Sequence, residues 1–143
     1  MSDLYDNDIY QWSEQQGGLL RRQAAGEKLN EQPDWTNIIE EVESVGRSEL
    51  QSVESLWTLA FLHDLKAGAW PDSRDEPHWR AEARLFRRQA RRKYTASMRS
   101  KIDLDGLYAD ALAGLPTHLD GKAPLPVPQT CPITLDELLG PGG

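Results

Sequence analysis

Acidic side chains and one histidine that could bind a metal ion lie within residues 34–66, which read DWTNIIEEVESVGRSELQSVESLWTLAFLHDLK. Glu40 and Glu43 are three residues apart and therefore share one face of a helix, whereas His63 follows twenty residues after Glu43. A continuous helix would separate His63 from Glu43 by about 30 Å, at roughly 1.5 Å per residue. A metal-dependent enzyme that uses these three residues is one alternative, although a metal needs its ligands close together.

We favour a structural interpretation of the same residues. Arg47 lies four residues after Glu43, which is the spacing of an ion pair along a helix, with a contribution of about 0.2–0.5 kcal/mol. Glu40 is expected to pair with an arginine of the basic helix described next. His63, between Leu62 and Asp64, is expected to be a partly buried, hydrogen-bonded core residue.

The second candidate site is a basic helix over residues 80–101. Nine Lys and Arg residues against one Glu give residues 79–101 a charge of +8, so the rest of the chain carries −15 within the total of −7. Helical spacing arranges the candidate phosphate-binding residues in rows: Arg84, Arg87, Arg88, Arg91 and Arg92. Nucleic-acid binding through this helix is an alternative, and an uncovered helix would favour it. The favoured interpretation pairs this helix with the acidic helix of the same chain, residues 34–45.

Other chemistry lacks its signals in this sequence. There is no Gly-rich phosphate loop, no Cys-x-x-Cys and no Gly-x-Ser-x-Gly, so we predict no catalytic residue and no cofactor. The single cysteine, Cys131, has no nucleophile motif around it and is expected to pack in the structure. One cysteine also fits a reducing compartment. No apolar run is long enough to cross a membrane and the N-terminus lacks a signal-peptide pattern, so we expect a cytoplasmic protein.

The elements that position these residues are all helical. Apolar residues recur at steps of three and four, which is the helical period, and no stretch alternates long enough to predict a sheet. We predict an all-α bundle of about four main helices in a single domain, residues 1–143. The predicted helices are 3–25, 34–45 and 48–67 with a bend or break at Gly46, 76–100, 104–113 and a terminal turn at 133–139.

Two further predictions concern packing. Residues 53–62 form the buried central helix, because they are apolar around most of the circumference, and all five tryptophans are expected to anchor the core. Residues 117–132 carry four prolines and are predicted to form a proline-rich arm on the surface. Thr134 and Glu137 have the spacing of a capping box at the last helical turn.

The chain resembles the bacterial domain-of-unknown-function family 29 over nearly its whole length. The matching residues are Tyr5, Asp8, Trp12, the block Asp34 to Glu49 with its EEVESVGRSE core, His63, Leu65, Lys66, Trp79, Arg87 and the tail Pro128 to Leu135. It departs from the family pattern at Asp64 and over 66–69. The resemblance implies an all-helical, compact domain and no assigned activity.

The function that we expect from these observations is that of a small non-catalytic interaction or adaptor protein. Its partner would be a second copy of the chain or another protein. Nucleic acid is a possible but less favoured partner, and a membrane is not expected.

Overall fold

The computed structural model describes residues 3–140. It contains helices α1 (Asp3–Asn7), α2 (Ile9–Ala24), α3 (Trp35–Ala69), α4 (Glu76–Lys93), α5 (Leu104–Ala113) and α6 (Leu135–Leu138), and a 3₁₀ helix at Ala96–Lys101. The described residues contain one isolated antiparallel bridge, Leu119 to Lys122, and no strand. The prediction of an all-α protein is confirmed.

The chain divides into two compact units, Met1–Ser48 and Glu49–Gly143. The first holds α1, α2 and the beginning of α3, and the second holds the remainder of α3 and all later elements. The prediction of one domain over 1–143 stays a prediction.

The N-terminal helix breaks at Asp8, where the sequence predicted one helix over 3–25. Asp8 leaves the helical conformation (φ −151°, ψ 80°), and its carboxylate accepts a hydrogen bond from the backbone amide of Gln11 at 3.0 Å. An aspartate that caps the following turn offers the backbone an alternative to an uninterrupted helix. The helix therefore breaks because Asp8 is the N-cap of α2, and the spacing of apolar residues gives no sign of this cap.

The predicted bend or break at Gly46 is wrong, because α3 is one helix of 35 residues. An interior glycine costs about 1 kcal/mol relative to alanine. That is a small penalty for a helix whose later turns are held by the core. Among the described residues, no atom outside α3 lies within 4 Å of the position that a Cβ at Gly46 would take.

Helix α4 is shorter than the predicted 76–100, because the backbone becomes extended at Tyr94 (φ −65°, ψ 138°). This turn lets the Tyr94 ring pack against Trp57, with ring centroids 5.8 Å apart. The predicted bounds of α5 are confirmed, and so is the capping box of α6. Thr134 Oγ1 accepts from the Glu137 amide at 3.2 Å, and Glu137 Oε1 accepts from the Thr134 amide at 3.0 Å.

The core of the second unit forms around α3, as predicted for residues 53–62. Val53 and Trp57 are fully buried, and Phe61 and Leu65 continue the same helical face. They pack with residues from α4, α5 and α6, namely Ala90, Tyr108, Ala111 and Leu138. Trp70 and Trp79 belong to a neighbouring cluster. The prediction that all five tryptophans are core residues is wrong at Trp35, which is 44% exposed.

Replacement of Trp57 tests this core. Trp57→Ala is expected to lower the free energy of unfolding by about 3–5 kcal/mol. The substitution leaves a cavity, and a helix that is packed on several sides cannot move to fill it. Trp57 Nε1 has no hydrogen-bond partner among the described residues, so Trp57→Phe loses volume but no hydrogen bond and should cost clearly less. Denaturant unfolding of both variants measures the difference. Equal losses for Ala and Phe would contradict this account of the site.

Candidate functional site

Half of the six arginines of α4 are open to solvent. Arg84, Arg88 and Arg92 are exposed, whereas Arg87 and Arg91 are half-buried. Among the described residues, four of these five guanidinium groups make no ion pair, the exception being Arg87. The basic helix is therefore largely uncovered, which is the arrangement that favours an anionic ligand.

Asp64 of α3 forms ion pairs with two arginines of the basic helix. Its Oδ2 accepts from Arg87 Nη1 at 2.5 Å, and its Oδ1 accepts from Arg80 Nη1 at 3.4 Å. Arg80 also donates through Nε to Glu76 Oε2 at 3.1 Å. Two arginines of the basic helix thus pair with carboxylates of the same unit, Asp64 and Glu76, while the predicted pairing with the acidic helix stays a prediction.

A cavity of about 630 Å³ opens beside these ion pairs. Its apolar walls come from two sides: Phe61, Leu65 and Tyr108 from α3 and α5, and Val127, Pro128 and Ile133 from the segment that leads into α6. Asp64 and the arginines Arg80, Arg84 and Arg87 form its polar side. Ligand sites of small molecules have this size and this combination of apolar walls with a few polar groups.

A second cavity of about 500 Å³ adjoins the first, because both are lined by Arg84, Arg87, Ile133 and Leu138. It adds Arg88 and Arg91 from α4 and Glu137 from α6. The two cavities together are lined by five arginines and two carboxylates, which gives +3 in a chain of net charge −7. We call this pair of cavities the arginine groove. It is a strongly positive site in an acidic protein.

The proline-rich arm forms one wall of the arginine groove and is fixed by hydrogen bonds. Trp70 Nε1 donates to the Lys122 carbonyl at 3.1 Å, and the Leu125 amide donates to the Ala69 carbonyl at 2.9 Å. The Tyr108 hydroxyl donates to the Pro128 carbonyl at 2.6 Å, and burial, followed by the nearby Cys131, raises the pKa of Tyr108. The prolines cannot donate hydrogen bonds themselves, so their carbonyls and neighbours fasten the arm.

The residues of the candidate metal site are not brought together. Among residues 3–140, no group of three or more His, Cys, Asp or Glu side chains is placed to hold a metal ion. Arg47 pairs with Glu40 at 2.7 Å, not with Glu43 as predicted, and the predicted pairing of Glu40 with the basic helix stays a prediction. Seven residues are almost two helical turns, so Glu40 and Arg47 share a face and the long arginine side chain spans the gap.

His63 and Cys131 both make local hydrogen bonds. The Nδ1–H of His63 donates to the Leu59 carbonyl at 2.8 Å, and its half-buried ring meets Phe86 edge-on with centroids 5.3 Å apart. Cys131 Sγ donates to the Ile133 carbonyl at 3.2 Å. These contacts tie each side chain to its immediate surroundings.

A second surface lies on the first part of α3, within the Met1–Ser48 unit. Trp35, Ile39, Val42 and Val45 are 44%, 54%, 68% and 65% exposed. They follow one another at helical steps of three and four and so form a continuous strip, which we call the apolar stripe. The sequence analysis assigned Trp35 to the core and did not predict that this face is exposed. Monomeric proteins rarely expose such a run without a binding role.

This helical segment is fastened to the N-terminal helices by side chains next to the apolar stripe. The Tyr5 hydroxyl donates to Glu41 Oε1 at 2.6 Å, and Trp12 Nε1 donates to Asp34 Oδ2 at 3.0 Å. Hydrogen bonding to Glu41 raises the pKa of Tyr5 to about 12. Hydrogen bonds from Asn37, then from Trp12, lower the pKa of Asp34. Glu41 is four residues before Val45, so these contacts lie beside the apolar stripe, whose side chains stay exposed.

Sequence reasoning missed two parts of the site. It gave no role to Asp64 in positioning arginines, although an acid on the core-facing side of α3 requires a cationic partner. It also treated the proline-rich arm as a strap over the bundle and did not predict that Val127 and Pro128 line a cavity. Neither the contacts of Asp64 with the arginines nor the cavity wall has a short-range signal in the sequence, because the residues that meet lie far apart in the chain.

The described residues form an all-helical protein with an arginine groove and an exposed apolar stripe. The model of the family described as "Domain of unknown function DUF29" matches residues 4–142, and the chain belongs to this family. A crystal structure of an alpha-helical protein of unknown function from Rhodospirillum rubrum is similar, with a TM-score of 0.62 and 23% identity over 96% of this chain and 89% of that one. That likeness shows the fold alone. No curated protein matches the sequence. Within the described residues, no helix is long and apolar enough to span a membrane.

The Tyr5–Glu41 bond predicts an alkaline titration. The bond favours the protonated phenol, so its stabilising effect is complete below the ordinary tyrosine pKa of about 10 and is lost as the pH rises through about 12. Glu41→Gln removes the negative charge and should return the Tyr5 pKa toward its ordinary value. Ultraviolet absorbance of phenolate measures the titration, and Tyr5→Phe identifies the step that belongs to Tyr5. An unchanged titration in Glu41→Gln would refute the assignment.

Proposed function

We propose that this chain is a non-catalytic interaction protein that binds an amphipathic helix of a partner protein along the apolar stripe of α3. The observation that carries the proposal is the exposure of Trp35, Ile39, Val42 and Val45 on one side of a helix. Large apolar side chains at these steps are the anchors by which one helix recognises another. The free thiol of Cys131 supports a reducing compartment, and we place the interaction in the cytoplasm.

The charge around the apolar stripe specifies the partner's chemistry. Glu43 and Glu49 are exposed and lie close to the stripe on the helical surface. Residues 1–48 contain ten acidic and four basic side chains, for a net charge of −6. A partner helix with Lys or Arg beside its apolar face would meet complementary potential, whereas an identical acidic stripe would be repelled. The partner is therefore expected to be a basic amphipathic helix and not the same surface of a second copy.

A defined peptide tests the proposal. A helical peptide of Leu and Lys in amphipathic register should bind the intact protein and shift the emission of Trp35 to the blue, because Trp35 leaves water. Val42→Glu should weaken this binding about tenfold or more, since burial of a valine side chain contributes about 1.5–3 kcal/mol. Fluorescence titration measures both effects.

Control experiments distinguish peptide binding at the apolar stripe from peptide binding elsewhere on the protein. Leu125→Glu makes the matched apolar-to-acid change at an exposed leucine, 53% accessible, in the proline-rich arm and should leave the affinity unchanged. The same peptide with Glu in place of Lys should not bind. Equal affinity for both peptides, or equal loss in both variants, would refute the proposal. If light scattering shows a dimer that dissociates to monomers in the Val42→Glu variant, a second copy of the chain occupies the apolar stripe.

Nucleic-acid binding is a second candidate, which the exposure of Arg84, Arg88 and Arg92 favours. It ranks below the first for two reasons. The chain is acidic overall, which opposes binding to a polyanion, and Trp79 is buried in the core and so unavailable for stacking on bases.

Oligonucleotide titration distinguishes this candidate. If the helix binds nucleic acid, duplex or single-stranded oligonucleotides should bind at low salt, and the affinity for duplex should fall with salt at a logarithmic slope of about −0.9 per phosphate contacted. The double variant Arg88→Gln, Arg92→Gln should reduce that slope by about 2. Arg74→Gln removes an exposed arginine outside the helix and serves as control. No binding at low salt would eliminate the candidate.

A further inference from the structure

We propose that the 630 Å³ cavity of the arginine groove is a binding site for a small organic acid, a molecule with one carboxylate and a compact apolar body. This ligand site is separate from the helix-binding surface proposed above, and every residue that lines it belongs to the Glu49–Gly143 unit. The geometry provides the two things that such a ligand needs, apolar walls for its body and free guanidinium donors for its carboxylate.

The apolar body would lie between rigid walls. Phe61 and Tyr108 stack edge to face, with centroids 5.3 Å apart, and both are buried in the core. The adjoining wall, Val127 and Pro128, is held by the hydrogen bond from the Tyr108 hydroxyl to the Pro128 carbonyl. Walls that are fixed before binding reduce the entropy lost when a ligand enters.

The carboxylate would be bound by Arg84. This side chain lines both cavities of the groove and makes no hydrogen bond or ion pair with the described residues, so all five of its N–H donors are free. A planar guanidinium binds a carboxylate with two parallel hydrogen bonds. The site therefore places a guanidinium group with free N–H donors next to the apolar walls of the cavity.

The excess of arginines over Asp64 makes the polar side selective for an acid. Asp64 engages one Nη1 donor each of Arg80 and Arg87, which leaves further N–H groups of both side chains available. Three arginines against one aspartate leave this cavity with a charge of +2. A ligand with a positive head is excluded by that charge, and a neutral ligand leaves Arg84 without a partner.

The shape favours a small molecule over a polyanion. Three lining residues, Tyr108, Leu138 and Leu65, are only 3%, 4% and 5% exposed, so the cavity reaches the core, which a phosphate backbone cannot enter. A nucleic acid would instead track the outer arginines, Arg88 and Arg92. The two kinds of ligand therefore depend on different side chains of α4.

Titration with naphthalene-2-carboxylate, followed by amide NMR and calorimetry, tests the site in the intact chain. We expect saturable binding, with the largest amide shifts at Gly68, Val127 and Ile133. Arg84→Leu should weaken binding roughly 10- to 100-fold, because charge-assisted hydrogen bonds to the carboxylate are lost. The substitution breaks no ion pair of the protein, so the variant should fold, which its amide spectrum verifies. Arg92→Leu, the matched change on the outer surface, should bind like the unchanged protein.

Two further ligands separate the contributions. Naphthalene-2-methanol has the same apolar body without charge and should bind at least tenfold more weakly, and acetate, which has the head alone, should not bind in the same range. Equal binding of the alcohol and the acid would overturn the proposal, because Arg84 would then have no part in recognition. Shifts confined to the amides around Arg88 and Arg92, or no binding at millimolar ligand, would overturn it as well.

Discussion

The second unit depends on burial of one face of α3, the face that carries Val53, Trp57, Phe61 and Leu65. Helices α4, α5 and α6 each contribute side chains to this face, so their positions follow from it. Burial of one large apolar side chain contributes about 1.5–3 kcal/mol, whereas an exposed ion pair contributes about 0–1 kcal/mol. The apolar contacts therefore decide where the basic helix lies, and the charges adjust to that position.

Asp64 shows how the charges adjust. It lies eleven residues after Val53, about three helical turns, and so continues the core-facing side of α3. Its side chain is 33% exposed, and a carboxylate that is largely removed from water needs compensating donors. Arg80 and Arg87, seven residues apart on α4, both reach it. This requirement draws two guanidinium groups to the edge of the apolar chamber and leaves Arg84, between them in sequence, unused.

Local signals in the sequence predicted the local structure well. The capping box at Thr134 and the bounds of α5 depend on neighbouring residues, and both were predicted correctly. The break at Asp8 was also a local event, but its signal competed with helical periodicity on both sides. The groove could not be predicted in the same way, because contacts such as Tyr108 to Pro128 join residues whose proximity is set by the packing of several helices.

The two apolar runs of α3 show the limit of periodicity most clearly. Val42 and Val45 recur at the same helical steps as Val53 and Trp57, yet the first pair is more than 60% exposed and the second is fully buried. A period specifies that apolar residues share a face, but it does not specify what covers that face. The surroundings differ, since Val53 and Trp57 lie among partners from α4 and α5, whereas the N-terminal helices are fastened through Glu41 and Asp34 and leave Val42 and Val45 exposed. An apolar face that the protein leaves open in this way is best explained as a surface kept for another molecule.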